Sequence, residues 1–145
     1  MFKKISLALA ATVILVTSFN VCLAAASTPA DKEKAAIAAA QTWLKLIDDG
    51  KYADSWKEAA TYFRNAVPQE QWVIQVQAAR KPMGKKLSRT LLNSKYYTSI
   101  PGLPDGEYVV IQFSASFENK KTAIETITPM LEKDGKWRVS GYYIK

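Results

Sequence analysis

Histidine is absent from the 145 residues, and cysteine occurs once, at Cys22. Without histidine there is no Ser-His-Asp or Cys-His nucleophile pair, no imidazole acid or base and no histidine-bound metal. Cys22 falls in an N-terminal stretch that reads as a cleaved leader, so what remains has no thiol, no zinc–thiolate site and no disulfide. The six glycines are scattered at turns, and none belongs to a phosphate-cradling loop. Carboxylates are sparse too. Their one local group, Asp48-Asp49 with Asp54, falls at a helix end and a helix start and reads as solvated termini. No catalytic residue, metal or cofactor is expected.

The leader has three parts: positive Met1-Phe2-Lys3-Lys4, an uncharged apolar stretch from Ile5 to Val16, and the small residues Ala24-Ala25-Ala26. The apolar stretch is about a dozen residues, against about 20 for a bilayer span, so no stable membrane anchor is expected. A lipoprotein acylated on Cys22 is the alternative. Phe19, Asn20 and Val21 stand where such signals carry small residues, which argues against it. The expected division is a signal peptide over 1–26 and a single domain over 27–145, periplasmic or secreted. About 120 residues suit one core. Its stability must come from packing, for which four tryptophans, seven tyrosines and, beyond the leader, three phenylalanines are at hand.

The periodicity predicts an α+β domain: three N-terminal helices packed on a four-stranded, curved antiparallel sheet. Thr28-Pro29-Ala30-Asp31 starts the first helix, with Ala36, Ala40, Trp43, Leu44 and Ile47 on its apolar face and Gly50 as its stop. A second helix is expected from Ala53 to Ala66. A third opens at Pro68, with Trp72, Val76 and Ala79 inward. Strands follow over Lys86–Thr98, around Val109–Phe117, over Thr122–Lys133 and over Trp137–Ile144. On the second, Val109, Ile111, Phe113, Ala115 and Phe117 share one face, and Tyr108, Gln112, Ser114 and Ser116 share the other. Asp134-Gly135 signals a two-residue hairpin turn. Pro129 places the third strand at an edge or at a bulge.

Glu125 stands inside a strand, flanked by Ile124 and Thr126, on the face shared by Ile127 and Leu131. Either this is an outward face and the carboxylate is solvated, or it is the core face. In the core it needs Arg80, Arg89 or a tyrosine hydroxyl as partner.

Lysine and arginine number 20 against 13 aspartates and glutamates, for a net charge of +7. From Gln71 to Pro104 stand Arg80, Lys81, Lys85, Lys86, Arg89 and Lys95 with no acidic residue. The rest of the chain beyond the leader is close to neutral. A basic surface outside the cytoplasm suits an anionic small molecule, a glycan or an envelope protein, and not nucleic acid.

The tryptophan-bearing helices (Trp43-Leu44, Ser55-Trp56, Gln71-Trp72) precede the turn Arg80-Lys81-Pro82-Met83-Gly84 and then Arg89. Further on come Leu103-Pro104-Asp105-Gly106-Glu107-Tyr108, Glu125, and Asp134-Gly135-Lys136-Trp137-Arg138-Val139-Ser140-Gly141-Tyr142. In this order and spacing the chain resembles the bacterial family of small exported proteins known as domain of unknown function 4019, from about Ala39 to Lys145. The resemblance implies a fold and an exported address, and no reaction. The layout also looks like the cone-shaped nuclear-transport-factor-like superfold, which hosts enzymes and binders alike.

Three functional readings stay open. The first is a non-enzymatic binding module whose candidate ligand-binding residues are Arg80, Lys86, Arg89, Glu125, Tyr96 and Tyr142. The second is a structural interaction protein, monomer or homodimer, pairing through its sheet. The third is an enzyme with Glu125 as acid or base.

Overall fold

The computed structural model describes residues 25–145. The export signal expected over 1–26, with Cys22, lies outside the described residues but for Ala25 and Ala26. Helix α1 (Pro29–Asp48) starts as its sequence dictates. The Thr28 hydroxyl accepts from the Asp31 N–H at 3.2 Å, and the Asp31 carboxylate accepts from the Thr28 N–H at 3.0 Å, with Pro29 in the first turn. At the far end the Gly50 N–H donates to the Ile47 carbonyl at 3.1 Å, and Gly50 has φ +71°. Ala36, Ala40, Trp43, Leu44 and Ile47 are the buried stripe.

The expected second helix is two helices, α2 (Tyr52–Lys57) and α3 (Thr61–Ala66). No glycine or proline separates them. The break comes from outside the helix: the Ala60 N–H donates to the Val139 carbonyl at 2.8 Å, and Ala59 and Ala60 are fully buried. Helix α4 (Gln69–Arg80) follows Pro68 and runs into a short 3-10 turn over Lys81–Met83. Its buried stripe is Trp72, Val76 and Arg80, so the arginine takes the inward place expected of Ala79, which is exposed. Trp43 and Trp72 pack with ring centroids 5.9 Å apart. Both indoles are satisfied by Ser55, Trp43 donating to its carbonyl at 2.7 Å and Trp72 to its hydroxyl at 3.0 Å.

Strands β1 (Lys86–Tyr97), β2 (Tyr108–Phe117), β3 (Lys120–Leu131) and β4 (Trp137–Ile144) form one antiparallel sheet in chain order. The fold is α+β, with the helices packed on the apolar face. The β2 alternation holds except at Tyr108, which is fully buried. The loop before it folds back, and its hydroxyl donates to the Pro104 carbonyl at 2.5 Å. β3 is an interior strand, so Pro129 sits at a register shift beside Thr128 and not at an edge. The last hairpin is closed by Glu132 N–H to the Lys136 carbonyl and Gly135 N–H to the Glu132 carbonyl, both 2.9 Å. This leaves three loop residues instead of two, with Gly135 at φ +80°, the geometry of a turn followed by a left-handed glycine. Among the described residues no helix is long and apolar enough to cross a membrane.

Candidate functional site

Two helical stripes end in opposite charges. On α1 the spacing of four residues that buries Ala36, Ala40 and Leu44 brings Asp48 next. On α4 the same spacing from Trp72 and Val76 brings Arg80. The two meet, with Arg80 Nη2 2.8 Å from Asp48 Oδ1. From the sheet, Arg89 on β1 stands opposite Ala115 on β2, and Ala115 opposite Ala123 on β3. These methyl-sized side chains leave room for the guanidinium between the strands and the helix ends.

Arg89 holds two carboxylates at once. Nε and Nη2 donate to Glu125 Oε2 and Oε1 at 2.6 and 3.0 Å, and Nη1 and Nη2 donate to Asp48 Oδ2 and Oδ1 at 2.7 and 2.9 Å. Glu125, on β3, has no exposure at all, so the core-face reading of that residue is the one realised. Tyr142 on β4 completes it, donating its hydroxyl to Glu125 Oε1 at 2.7 Å. Arg80 is 4% exposed; its guanidinium lies 4.7 Å from the centre of the Phe117 ring, and Nη1 lies 3.4 Å from the Tyr142 oxygen. The buried set holds two arginines and two carboxylates, and its charge sums to zero.

Each proton stays where the geometry needs it. Burial alone disfavours the charge on Arg89, but its bonds to Asp48 and Glu125 outweigh that and raise its pKa. Burial likewise pushes the Asp48 carboxyl up, and the hydrogen bonds and charges of Arg89 and Arg80 bring it below its ordinary value. Burial and the neighbouring Glu125 charge push the Tyr142 phenol far above its ordinary range, so it remains a donor.

Of the residues anticipated as ligand contacts, the fold gathers Arg80, Arg89, Glu125 and Tyr142 into this cluster, with Lys86 Nζ at its rim 3.6 Å from Asp48. Tyr96 stands apart at the other end of β1. Its hydroxyl donates to Glu107 at 2.6 Å, and Lys32 bonds that same carboxylate. Asp48 was expected to be a solvated helix end and is instead shared by both arginines. Its signal was the i+4 line of Ala36, Ala40 and Leu44, which it continues. Asp49 and Asp54 do remain in solvent.

Two members of the cluster, Asp48 and Arg89, form the floor of a groove of about 660 Å³ between the C-terminal half of α1 and the first half of β1, with Lys45, Asp49, Lys85, Lys86, Leu91 and Phe113 on its walls. A family model described as "Protein of unknown function (DUF4019)" matches residues 39–142. The chain belongs to that family. The matched span contains all five residues of the cluster and ends on Tyr142, so the DUF4019 region and the part of the fold that ties the network together coincide. A search of curated proteins finds no match to the chain.

In this DUF4019 chain the network is a fastener for α1, α4, β1, β3 and β4. Arg89 spends four N–H groups internally, and both oxygens of Glu125 are engaged. What faces the groove uncompensated is lysine. Lys45 is matched by Asp49 at 2.8 Å. Lys86 is a distant third partner of an aspartate already served by two arginines. Among the described residues Lys85 forms no ion pair with its side chain.

Proposed function

We propose that this DUF4019 chain is a non-enzymatic binding module, exported by its N-terminal leader, that takes an anionic ligand in the groove between α1 and β1. The observation that carries this reading is the pair Lys85 and Lys86, left in excess at the mouth of a groove whose floor is already neutral. Two ammonium groups beside the apolar walls of Leu91 and Phe113 suit a ligand with a carboxylate or phosphate at one end and apolar surface behind it. Binding is favoured over turnover because Glu125, the carboxylate that sequence singles out, has both oxygens bonded and does not line the groove. Arg89 and Asp48 then shape the floor, and the lysines make the contact.

The test starts with native mass spectrometry of the protein taken from its own cell-envelope fraction, followed by titration with phosphate and citrate. A copurified anionic adduct, or saturable binding weakened at least tenfold by the Lys85→Ala/Lys86→Ala pair, supports the module. No adduct and no saturable binding by the intact protein overturns it.

A further inference from the structure

Strand β1 has no fully buried residue, and eight of its twelve residues are exposed. Its pairing with β2 slips twice, between Lys86 and Ser88 and between Leu91 and Asn93. The residues left without a partner at the two slips, Leu87 and Leu92, are 57% and 52% exposed, and Leu91 is 42% exposed. The other edge of the sheet is not equivalent, since Ala60 already bonds the β4 carbonyl of Val139.

Helix α1 closes on one half of β1 and stands off from the other. Near its start, Glu33 accepts from the Ser94 hydroxyl at 2.7 Å and from the Tyr96 backbone N–H at 3.2 Å. A carboxylate of the chain itself thus occupies a backbone amide of β1. Toward the end of α1 the two elements part, and the groove opens beside Lys86, Arg89 and Leu91. That half of the edge has open strand, apolar side chains, and Lys85 and Lys86 in excess.

Resting on the groove reading above, we infer that the ligand is an extended, acidic polypeptide segment that lies along the first half of β1 as a fifth strand. Backbone pairing supplies the binding along an open edge, and side chains supply the choice of partner. Leu87, Leu91 and Leu92 offer contact to alternate apolar side chains, and the lysines demand carboxylates between them. A second copy of the chain fits less well, because a segment with no acidic residue from Gln71 to Pro104 would bring lysines to lysines. Lysine on an edge strand is a known guard against that kind of self-pairing.

The probe is a ten-residue peptide alternating glutamate with valine and threonine. Its controls are the same peptide with glutamine for glutamate, and inorganic phosphate. The glutamate peptide is expected to bind at least tenfold more tightly than the glutamine one and to slow amide exchange over residues 87–92. Lys85→Gln/Lys86→Gln should weaken it at least tenfold while the protein stays folded. If phosphate binds at the lysines but the peptide slows no β1 amide, the groove reading stands and the peptide inference falls. If neither binds, both fall. Equal binding of the two peptides would remove the carboxylate requirement and overturn the inference. So would a concentration-dependent dimer of the free protein whose β1 amides are already protected, since the edge would then belong to a second copy.

Discussion

Arg89 donates to Glu125 from both Nε and Nη2, at 2.6 and 3.0 Å, and Glu125 has no exposure to solvent. The pair joins β1 to β3, two strands that do not hydrogen-bond to one another. Through its remaining N–H groups Arg89 also reaches Asp48 on α1, so one guanidinium sets the position of a helix end against two strands. Desolvating these charges is costly, and the cluster is tolerable only because nearly every donor and acceptor is used.

Removing both partners should therefore cost less than the sum of removing each alone. Arg89→Leu leaves Glu125 buried with Tyr142 and a distant Arg80, and is expected to destabilise by about 3–5 kcal/mol. Glu125→Leu should cost a similar amount. The double variant Arg89→Leu/Glu125→Leu should lose clearly less than the sum, with a coupling energy of order 1–3 kcal/mol. Urea unfolding of the four proteins measures it. Additive losses would show that the two side chains do not stabilise one another.

Much of this was legible in the sequence. Periods of four and two residues located the helices and strands, and the alternation on β2 correctly placed Ile111 and Phe113 inward. Sequence left Glu125 either solvated or on the core face, where it would need Arg80, Arg89 or a tyrosine hydroxyl; the core face is realised, with Arg89 and Tyr142 as partners. What sequence could not convey came from distant contacts. The break between α2 and α3 is made by the β4 carbonyl of Val139, with no breaker residue at the site. Asp48 reads as a helix terminus because nothing local shows that Arg80 and Arg89 arrive from 32 and 41 residues away. Tyr108 falls on the outward side by alternation and is buried by a loop whose path no periodicity describes.

Asp48 gives the fold an acid-sensitive component. Its folded pKa is depressed below the ordinary 3.8 by the two arginines. The stabilisation this represents is present at pH above about 4 and is lost as pH falls through the lower folded value. Asp48→Asn should be less stable than the parent near neutral pH, and the gap should narrow as pH drops below about 4. Urea midpoints measured from pH 2 to 7 test this. A gap independent of pH would mean that the carboxylate's ionisation does not matter to the fold.

Tyr142 separates hydrogen bonding from packing. Tyr142→Phe removes the donor to Glu125 and keeps the ring 5.6 Å from Trp43 and 6.5 Å from Trp72, centre to centre. A loss of about 1.5–3 kcal/mol is expected for a hydrogen bond to a buried charge. Tyr142→Ala also removes the ring and should cost about 3–5 kcal/mol. Equal losses in the two variants would assign the whole effect to the hydroxyl.

Gly84 sets the angle at which the chain leaves Arg80 and begins β1, and so how both arginines come to face the same carboxylates. Its φ is +76° with ψ −160°, a region essentially reserved for glycine. A Cβ added there would sit 3.0 Å from the Glu118 Cβ and 3.2 Å from the Asn119 side-chain nitrogen, both on the tight turn between β2 and β3. Gly50 is the useful comparison. It too has positive φ, at +71°, but a Cβ there meets nothing within 4 Å. Gly50→Ala should cost only the left-handed penalty of about 1–2 kcal/mol. Gly84→Ala adds tight contacts with the Glu118 and Asn119 side chains on the neighbouring turn and should cost more, with Arg89 displaced from Asp48 if the turn shifts. Thermal melts of the two variants rank them. If Gly50→Ala proved the more damaging, the turn would be shown to yield freely, and the position of Arg89 would have to be set by the sheet alone.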